Sequence, residues 1–281
     1  MGKVIVSGGG RATVPSSFPA IGTPLNSLAW EEVRAISDAG LAADYFAVGD
    51  VKTIVLNGTI VSSTTLSNLS VDVFVLGIDH NASVEGSNRI HFGIGKISGK
   101  DIFFHDGKNS SSTGAEIKMT TSAYNNGGWA SSHMRKTVLG SDSTPASPTA
   151  NTLLAALPAD LRAVMKTVTK YTDNNGGKSD TASYVTATTE YLPLLAEFEV
   201  SGTRYNANSA EQNYQKQYDY YKAGNSKLRY KHDDTRTAYR WFLRSVDSGG
   251  STTWVGINES GNFYNGRVGN QSSGCAPLFC V

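Results

Sequence analysis

Apolar and polar positions recur along this chain with two different periods, and the switches between them mark its elements. Ala29, Val33 and Ile36 stand at helical spacing behind Ser27, with Glu31 and Glu32 in the first turn and Gly40 beyond the end. This predicts a helix capped by Ser27, favoured by its dipole and stopped by the glycine. KTIVL and TIVS flank Asn57-Gly58, which predicts a β-hairpin turning at that pair. Residues 71–79, VDVFVLGID, form a mostly apolar run that predicts a strand covered on both faces. HFGIGKISGK (91–100) predicts a further hairpin with tight turns. Leu154, Leu157, Leu161, Val164 and Val168 make a helical stripe, with Pro158 dividing a short first turn from the main helix. YLPLLAEFEV (191–200) predicts a core segment with strand character towards its end. SAEQNYQKQYDYYKAG (209–224) predicts a helix with a Ser209–Gln212 capping box, Tyr214, Tyr218 and Tyr221 on one face, and Gly224 as the stop.

The span 100–150 and the remainder of the chain read as short strands and long loops, without an internal repeat. The expected fold is α+β: a small, mostly antiparallel sheet with flanking helices and long ordered loops. SGGG at 7–10 and Pro15, Pro19 and Pro24 predict an extended arm over residues 1–26, leaving 27–281 as a single domain.

The last stretch, Tyr239 to Val281, carries the strongest functional signal. An apolar-aromatic run with one arginine (YRWFLRS) opens it and APLFCV closes it. Between them lies a span of Gly, Ser, Asn and Thr that holds Trp254, Phe263 and Tyr264. Aromatic rings give contact area at low entropic cost, and Ser, Gly and Asn give adaptable hydrogen bonds, as in a paratope. The predicted ligand-binding residues are Asp247, Ser248, Ser251, Thr253, Trp254, Asn258, Glu259, Asn262, Phe263, Tyr264, Asn265, Arg267 and Asn270. Trp129, Arg135, Trp241 and Arg244 are expected to be structural. Each arginine sits in an apolar-aromatic phrase and needs a buried acceptor, for which Glu197 is a candidate.

Composition narrows the class. Charged residues are 17% of the 281 and the net charge is +1, so no global field recruits nucleic acid or an anionic membrane. No apolar run approaches the roughly 20 residues of a membrane-spanning helix, and no signal peptide opens the chain. Synthesis in a cytoplasm without membrane insertion is therefore expected. Two cysteines, Cys275 and Cys280, exclude a disulfide framework and are expected to be buried, unreactive thiols.

Several phrases carry a resemblance: W-E-x-V-R-x-I-S (30–37), DYFAVGDVK (44–52), VFVLGIDH (73–80), GGWASSHMR (127–135), LPADLRAVMKTV (157–168), LLAEFEV (194–200), WFLRS (241–245) and G-x-A-P-L-F (274–279). In this order they resemble an uncharacterised domain family of gut Gram-positive bacteria and their phages and prophages, from about residue 24 to the end. The ending is also similar to C-type-lectin-like folds, including formylglycine-generating-enzyme-like domains and the variable proteins of diversity-generating retroelements. That resemblance implies a C-type-lectin-like domain whose C-terminal loops bind ligand on a fixed frame. Cys275 and Cys280 do not lie in a formylglycine-generating motif, and neither the Glu-Pro-Asn nor the Trp-Asn-Asp calcium string of lectins occurs, so neither activity carries over.

Other chemistries find little footing. His80, His91, His105, His133 and His232 match no metal-ligand spacing, so no metal or cofactor is expected. No G-x-S-x-G elbow and no phosphate-binding loop occurs. Glu190, Glu197 and Glu199 could suggest glycoside hydrolysis, Glu197 and Glu199 sharing a strand face. The expected function is non-enzymatic binding, by a phage or prophage tail-associated receptor-binding protein that meets a host cell-surface protein or glycan. Residues 1–26 would dock to other virion proteins, and a homotrimer would add avidity. The alternatives are a structural virion component (baseplate or decoration) without a receptor role, and a carbohydrate-active or modifying enzyme on the same fold.

Overall fold

Two antiparallel strands, β1 (Val51–Ile60) and β2 (Thr64–Ile78), set the layout. The computed structural model describes residues 18–108 and 114–281; the side chains at 266–267 lie outside that description. Along β1, Lys52, Ile54 and Leu56 are buried and their neighbours exposed, the mark of a strand covered on one face. In β2 the alternate side chains enter two different apolar clusters, Val71, Val73 and Val75 in one and Phe74 and Leu76 in the other. β2 is thus covered on both faces, as its apolar run predicts.

The hairpin turns at Val61–Ser63, not at Asn57-Gly58. Those two residues form an irregularity inside β1, where the register jumps between Leu56 and Gly58. Asn57 Oδ1 accepts from the Asn68 backbone N–H (2.8 Å), which spends the side chain that a turn would have used. Ala156 comes close enough to Gly58 that an added Cβ would lie 3.3 Å from its methyl group.

β3 (Ile90–Ile97) and β4 (Lys100–Phe103) form the expected tight hairpin, with Ser98 and Gly99 both at positive φ. β5 (Val168–Asp173) and β6 (Val185–Glu190) form a separate antiparallel pair. β7 (Tyr230–Lys231) joins β4 in parallel, and β8 (Asp234–Ala238) follows it. β9 (Trp241–Val246), β10 (Thr253–Ile257) and β11 (Phe263–Val268) make a three-stranded antiparallel sheet with β10 in the middle. β12 (Leu278–Cys280) returns to pair with β3, so the end of the chain sits beside its first hairpins. The fold is mixed α/β with mostly antiparallel sheet and short helices.

Tertiary packing overrides several local patterns. The first helix is Trp30–Asp38; Glu32 caps it by accepting from the Ala29 N–H (2.7 Å), while Ser27 lies in a preceding 3-10 turn. The stripe at 154–168 breaks at Pro158 into the helices Leu153–Ala156 and Ala159–Val164, and Val168 already belongs to β5. Residues Glu197–Ser201 are helical rather than extended, because Glu199 reaches back to accept from the Ala196 N–H (2.8 Å). Only Ser209–Asn213 and Asp219–Lys222 are helical within 209–224. There Tyr214 stacks on Tyr171 (4.2 Å between centroids), whereas the Tyr218 N–H is drawn to Glu199 O (2.9 Å), so one helix cannot hold both. Of the expected arm, residues 1–17 lie outside the described residues. Phe18 and Ile21 pack on the core and Leu25 is buried in it.

Gly128 opens the short helix that carries Trp129, at φ +49, and a Cβ there would stand 2.1 Å from Asp173 O at the end of β5. Gly128→Ala is expected to lower stability by about 2 kcal/mol or more, read as a shifted urea midpoint with an unchanged slope.

Candidate functional site

Arg244 projects from β9 into the interior and is fully buried. Its Nη2 donates to Glu199 Oε1 (2.8 Å), its Nη1 to Leu194 O (2.7 Å) and its Nε to Thr172 Oγ1 (2.9 Å). Lys170 of β5 donates to Glu199 (2.8 Å), Glu85 (2.7 Å) and Tyr218 Oη (2.9 Å), which uses all three of its protons. Burial alone would raise the Glu199 carboxyl; the two cations outweigh it and hold the group far below the usual carboxylate range. His91 completes the cluster, 3.0 Å from Tyr218 Oη, and burial followed by the Lys170 charge keeps its imidazole neutral. Arg244 is structural, as expected, but its partner is Glu199 rather than Glu197. Arg135 likewise pairs with Glu190 (2.8 Å), which also accepts from Trp129 Nε1 (3.0 Å).

Glu197 has a different task. Its buried carboxylate accepts from the backbone N–H groups of Tyr205, Asn206 (2.7 Å) and Ala207 (3.1 Å). This clamps a loop against the frame and holds Tyr205 outward, 61% exposed. Tyr205 stacks on Phe263, the first residue of β11, with centroids 5.7 Å apart and planes at 29°. The Lys227 ammonium lies 6.0 Å from the centre of the Phe263 ring. Nearby, Arg240 Nε donates to Glu259 (2.8 Å), and its guanidinium stands over Tyr264 at 5.6 Å. Asn262, Glu259 and Asn265 are exposed around these rings.

The predicted ligand set therefore divides. Trp254 is wholly buried: β10 is the middle strand of its sheet and points the indole into the core, so it makes no surface contact. Asp247 is buried too, accepting from Gly249 N (2.9 Å), Thr253 Oγ1 (2.7 Å) and Asn265 Nδ2 (3.3 Å). Asp247 and Thr253 thus build the β9–β10 connection, and Asn258 builds the β10–β11 turn by accepting from the N–H groups of Ser260 and Asn262. Ser248 is held between Arg204 (3.0 Å) and Asn206 O (3.0 Å). Ser251 and Asn270 are half-buried, away from the aromatic pair in sequence. The Arg267 side chain lies outside the described residues. Phe263, Tyr264, Glu259, Asn262 and Asn265 remain as surface candidates, joined by Tyr205, Arg240 and Lys227. Tyr205 was legible in principle: RYNANS sets an aromatic ring among Asn and Ser, the same signature that singles out Phe263.

A family model described as "Domain of unknown function (DUF6273)" matches residues 100–281. The chain belongs to this family. No curated protein and no solved structure matches it. The DUF6273 region starts at β4, yet its last strand, β12, pairs with β3 just before that start. β1 to β3 are thus packed into the same fold as the DUF6273 region.

His105, Ser272 and Asp106 lie together but not in the order of a catalytic triad. His105 Nδ1 accepts from the Gly107 N–H (2.9 Å), so Nε2 carries the proton and faces Ser272 Oγ (3.3 Å), which itself donates to Asp106 (2.8 Å). That order cannot deprotonate the serine. Both cysteines are buried free thiols, and burial pushes Cys280 up to about 12. Among the described residues no group of three His, Cys, Asp or Glu could hold a metal ion, and no helix is long and apolar enough to cross a membrane.

Two outcomes are expected of the frame. Glu199→Ala leaves Arg244 in the interior without its carboxylate and Lys170 with Glu85 as its remaining carboxylate, and should cost about 3–5 kcal/mol by denaturant unfolding. Glu211, fully buried beneath Ser245, is pushed by burial from the ordinary 4.5 up to about 7. The folded state keeps a proton that the unfolded chain releases, so this contribution is fully present below pH 4.5 and is lost as pH rises through about 7. Wild type should lose roughly 3 kcal/mol relative to Glu211→Gln across that window, measured by urea titrations at stepped pH.

Proposed function

We propose that the chain is a non-enzymatic binding protein whose ligand face is the Tyr205–Phe263 aromatic pair and its polar surround. The carrying observation is that pair. Two rings stand stacked and partly open to solvent, one clamped through Glu197 and the other fixed in β11. Rings that stack on one another from a fixed backbone have less entropy to lose on binding, and Asn262, Asn265 and Glu259 supply adaptable hydrogen bonds around them. Strongly shifted groups such as His80, His91, Glu85, Glu199 and Glu211 are buried in the frame, which supports binding over catalysis.

The fold is read as C-type-lectin-like, with the three-stranded sheet as its ligand-binding part. On the strength of the sequence resemblance, the protein serves a phage or prophage tail. It meets a host cell-surface protein or glycan, with residues 1–26 toward other virion proteins and a trimer adding avidity. Retroelement diversification would act on the exposed positions of this face.

The test is binding of the labelled protein to a panel of gut Gram-positive cells and to a glycan array. Saturable binding is expected, weakened at least tenfold by Tyr205→Ala and by Phe263→Ala, with unfolding midpoints close to wild type for the exposed Tyr205 variant. Binding untouched by both variants, or absent from every surface, would refute this reading.

A further inference from the structure

A second site lies away from the aromatic pair. A cleft of about 470 Å³ opens between the tip of the β1–β2 hairpin, the segment 116–121, the helix after His133 and residues 149–151. A smaller hollow of about 260 Å³ shares Thr121, His133, Lys136 and Thr137 with it, so the two form one groove.

The walls of this groove carry unusual backbone. The helix Met134–Leu139 is a π-helix, a form that recurs at functional sites. Its Met134, Val138 and Leu139 are buried, leaving Lys136 and Thr137 exposed along the groove. Val61 stands at φ +51, which a β-branched residue adopts only under constraint, and Asn151 at φ +58. The Val61 N–H donates to Asn151 O (2.8 Å), so each left-handed residue braces the other at the rim. Strain retained at the edge of a cleft is a mark of a built site.

The charges are unbalanced. Lys118 and Lys136 line the cleft and have no ion-pair partner among the described residues. Among the described residues Glu116 is the one carboxylate in the lining, and Ser62 Oγ donates to it (2.5 Å). His133 Nε2 lies 3.0 Å from Glu116 O; a carbonyl only accepts, so the ring donates there and is held in place. Thr121, Thr137 and Thr149 line the same cleft as the two lysines.

We propose that this groove binds an anionic sugar or polyol, its phosphate or carboxylate held by Lys118 and Lys136 and its hydroxyls by the threonines. The volume suits one or two sugar rings. The site does not depend on the aromatic pair, and either can fail without the other.

Calorimetric titration of the full chain with glucose 6-phosphate, glucuronate and glucose tests it. At least one of the two anions should bind in the millimolar range or tighter, at least tenfold more tightly than glucose. A preference for the first anion identifies phosphate as the partner group, and for the second carboxylate. Lys118→Ala and Lys136→Ala change exposed or half-exposed side chains, and each should weaken binding at least tenfold. Lys136→Arg should retain it, and Tyr205→Ala should leave it unchanged. No heat from either anion up to about 10 mM, equal binding of glucose, or binding insensitive to both alanine variants would overturn the proposal.

Discussion

Glu199 is sealed from water, and an isolated charge there would be prohibitively unfavourable. It is tolerated because Arg244 from β9 and Lys170 from β5 converge on it, each also donating to other buried acceptors. Such a cluster adds little net stability compared with an apolar core, but it punishes every arrangement that leaves a member unpaired. It therefore fixes the relative positions of β5, β9 and the helix Glu197–Ser201. Through Tyr218 and His91 it reaches β3, and through the 3.3 Å contact of Cys280 with His91 it reaches β12.

The same short helix connects this interior to the surface. Glu199 points inward to the cations, while Glu197, two residues earlier, grips the backbone that carries Tyr205. Ser245 ties the two together, accepting from Glu197 N (3.1 Å) and donating to Glu211 (2.7 Å). A rigid inner frame thus ends in an outward aromatic pair whose neighbours are polar and exposed. Substitutions on the outside leave the frame's hydrogen bonds intact, whereas substitutions inside do not. This separation is what a surface needs if it is to change partners without unfolding.

Much of the fold was legible from periodicity. β2 announced itself by an apolar run covered on both faces, the 91–100 hairpin by its glycines, and the break at Pro158 by the ring's missing donor. The failures came where a distant group supplied what the local pattern left open. Asn57-Gly58 looked like a turn, but Asn68 took the asparagine and the turn moved to Val61–Ser63. The tyrosines at 214–221 looked like one helical face, but Tyr171 and Glu199 drew them apart. Glu199 looked extended until its own side chain capped a helix. At the surface, composition singled out Phe263 and Asn262, which are half-buried and exposed respectively. Trp254 and Asp247 were misplaced because composition does not tell an indole turned into the core, or a carboxylate that ties a connection together, from one open to ligand. The cleft beside the π-helix was not read from the sequence, since its lysines and threonines come from separate short segments between 118 and 149 with no common pattern.

The most direct measurement is the pattern of substitution in this protein across many sister isolates of one lineage. The account predicts changes crowded at Tyr205, Glu259, Asn262, Phe263 and Asn265, with Glu197, Glu199, Lys170, Arg244, Trp254 and Asp247 unvarying. Changes spread evenly over buried and exposed positions, or a surface as invariant as the frame, would contradict it.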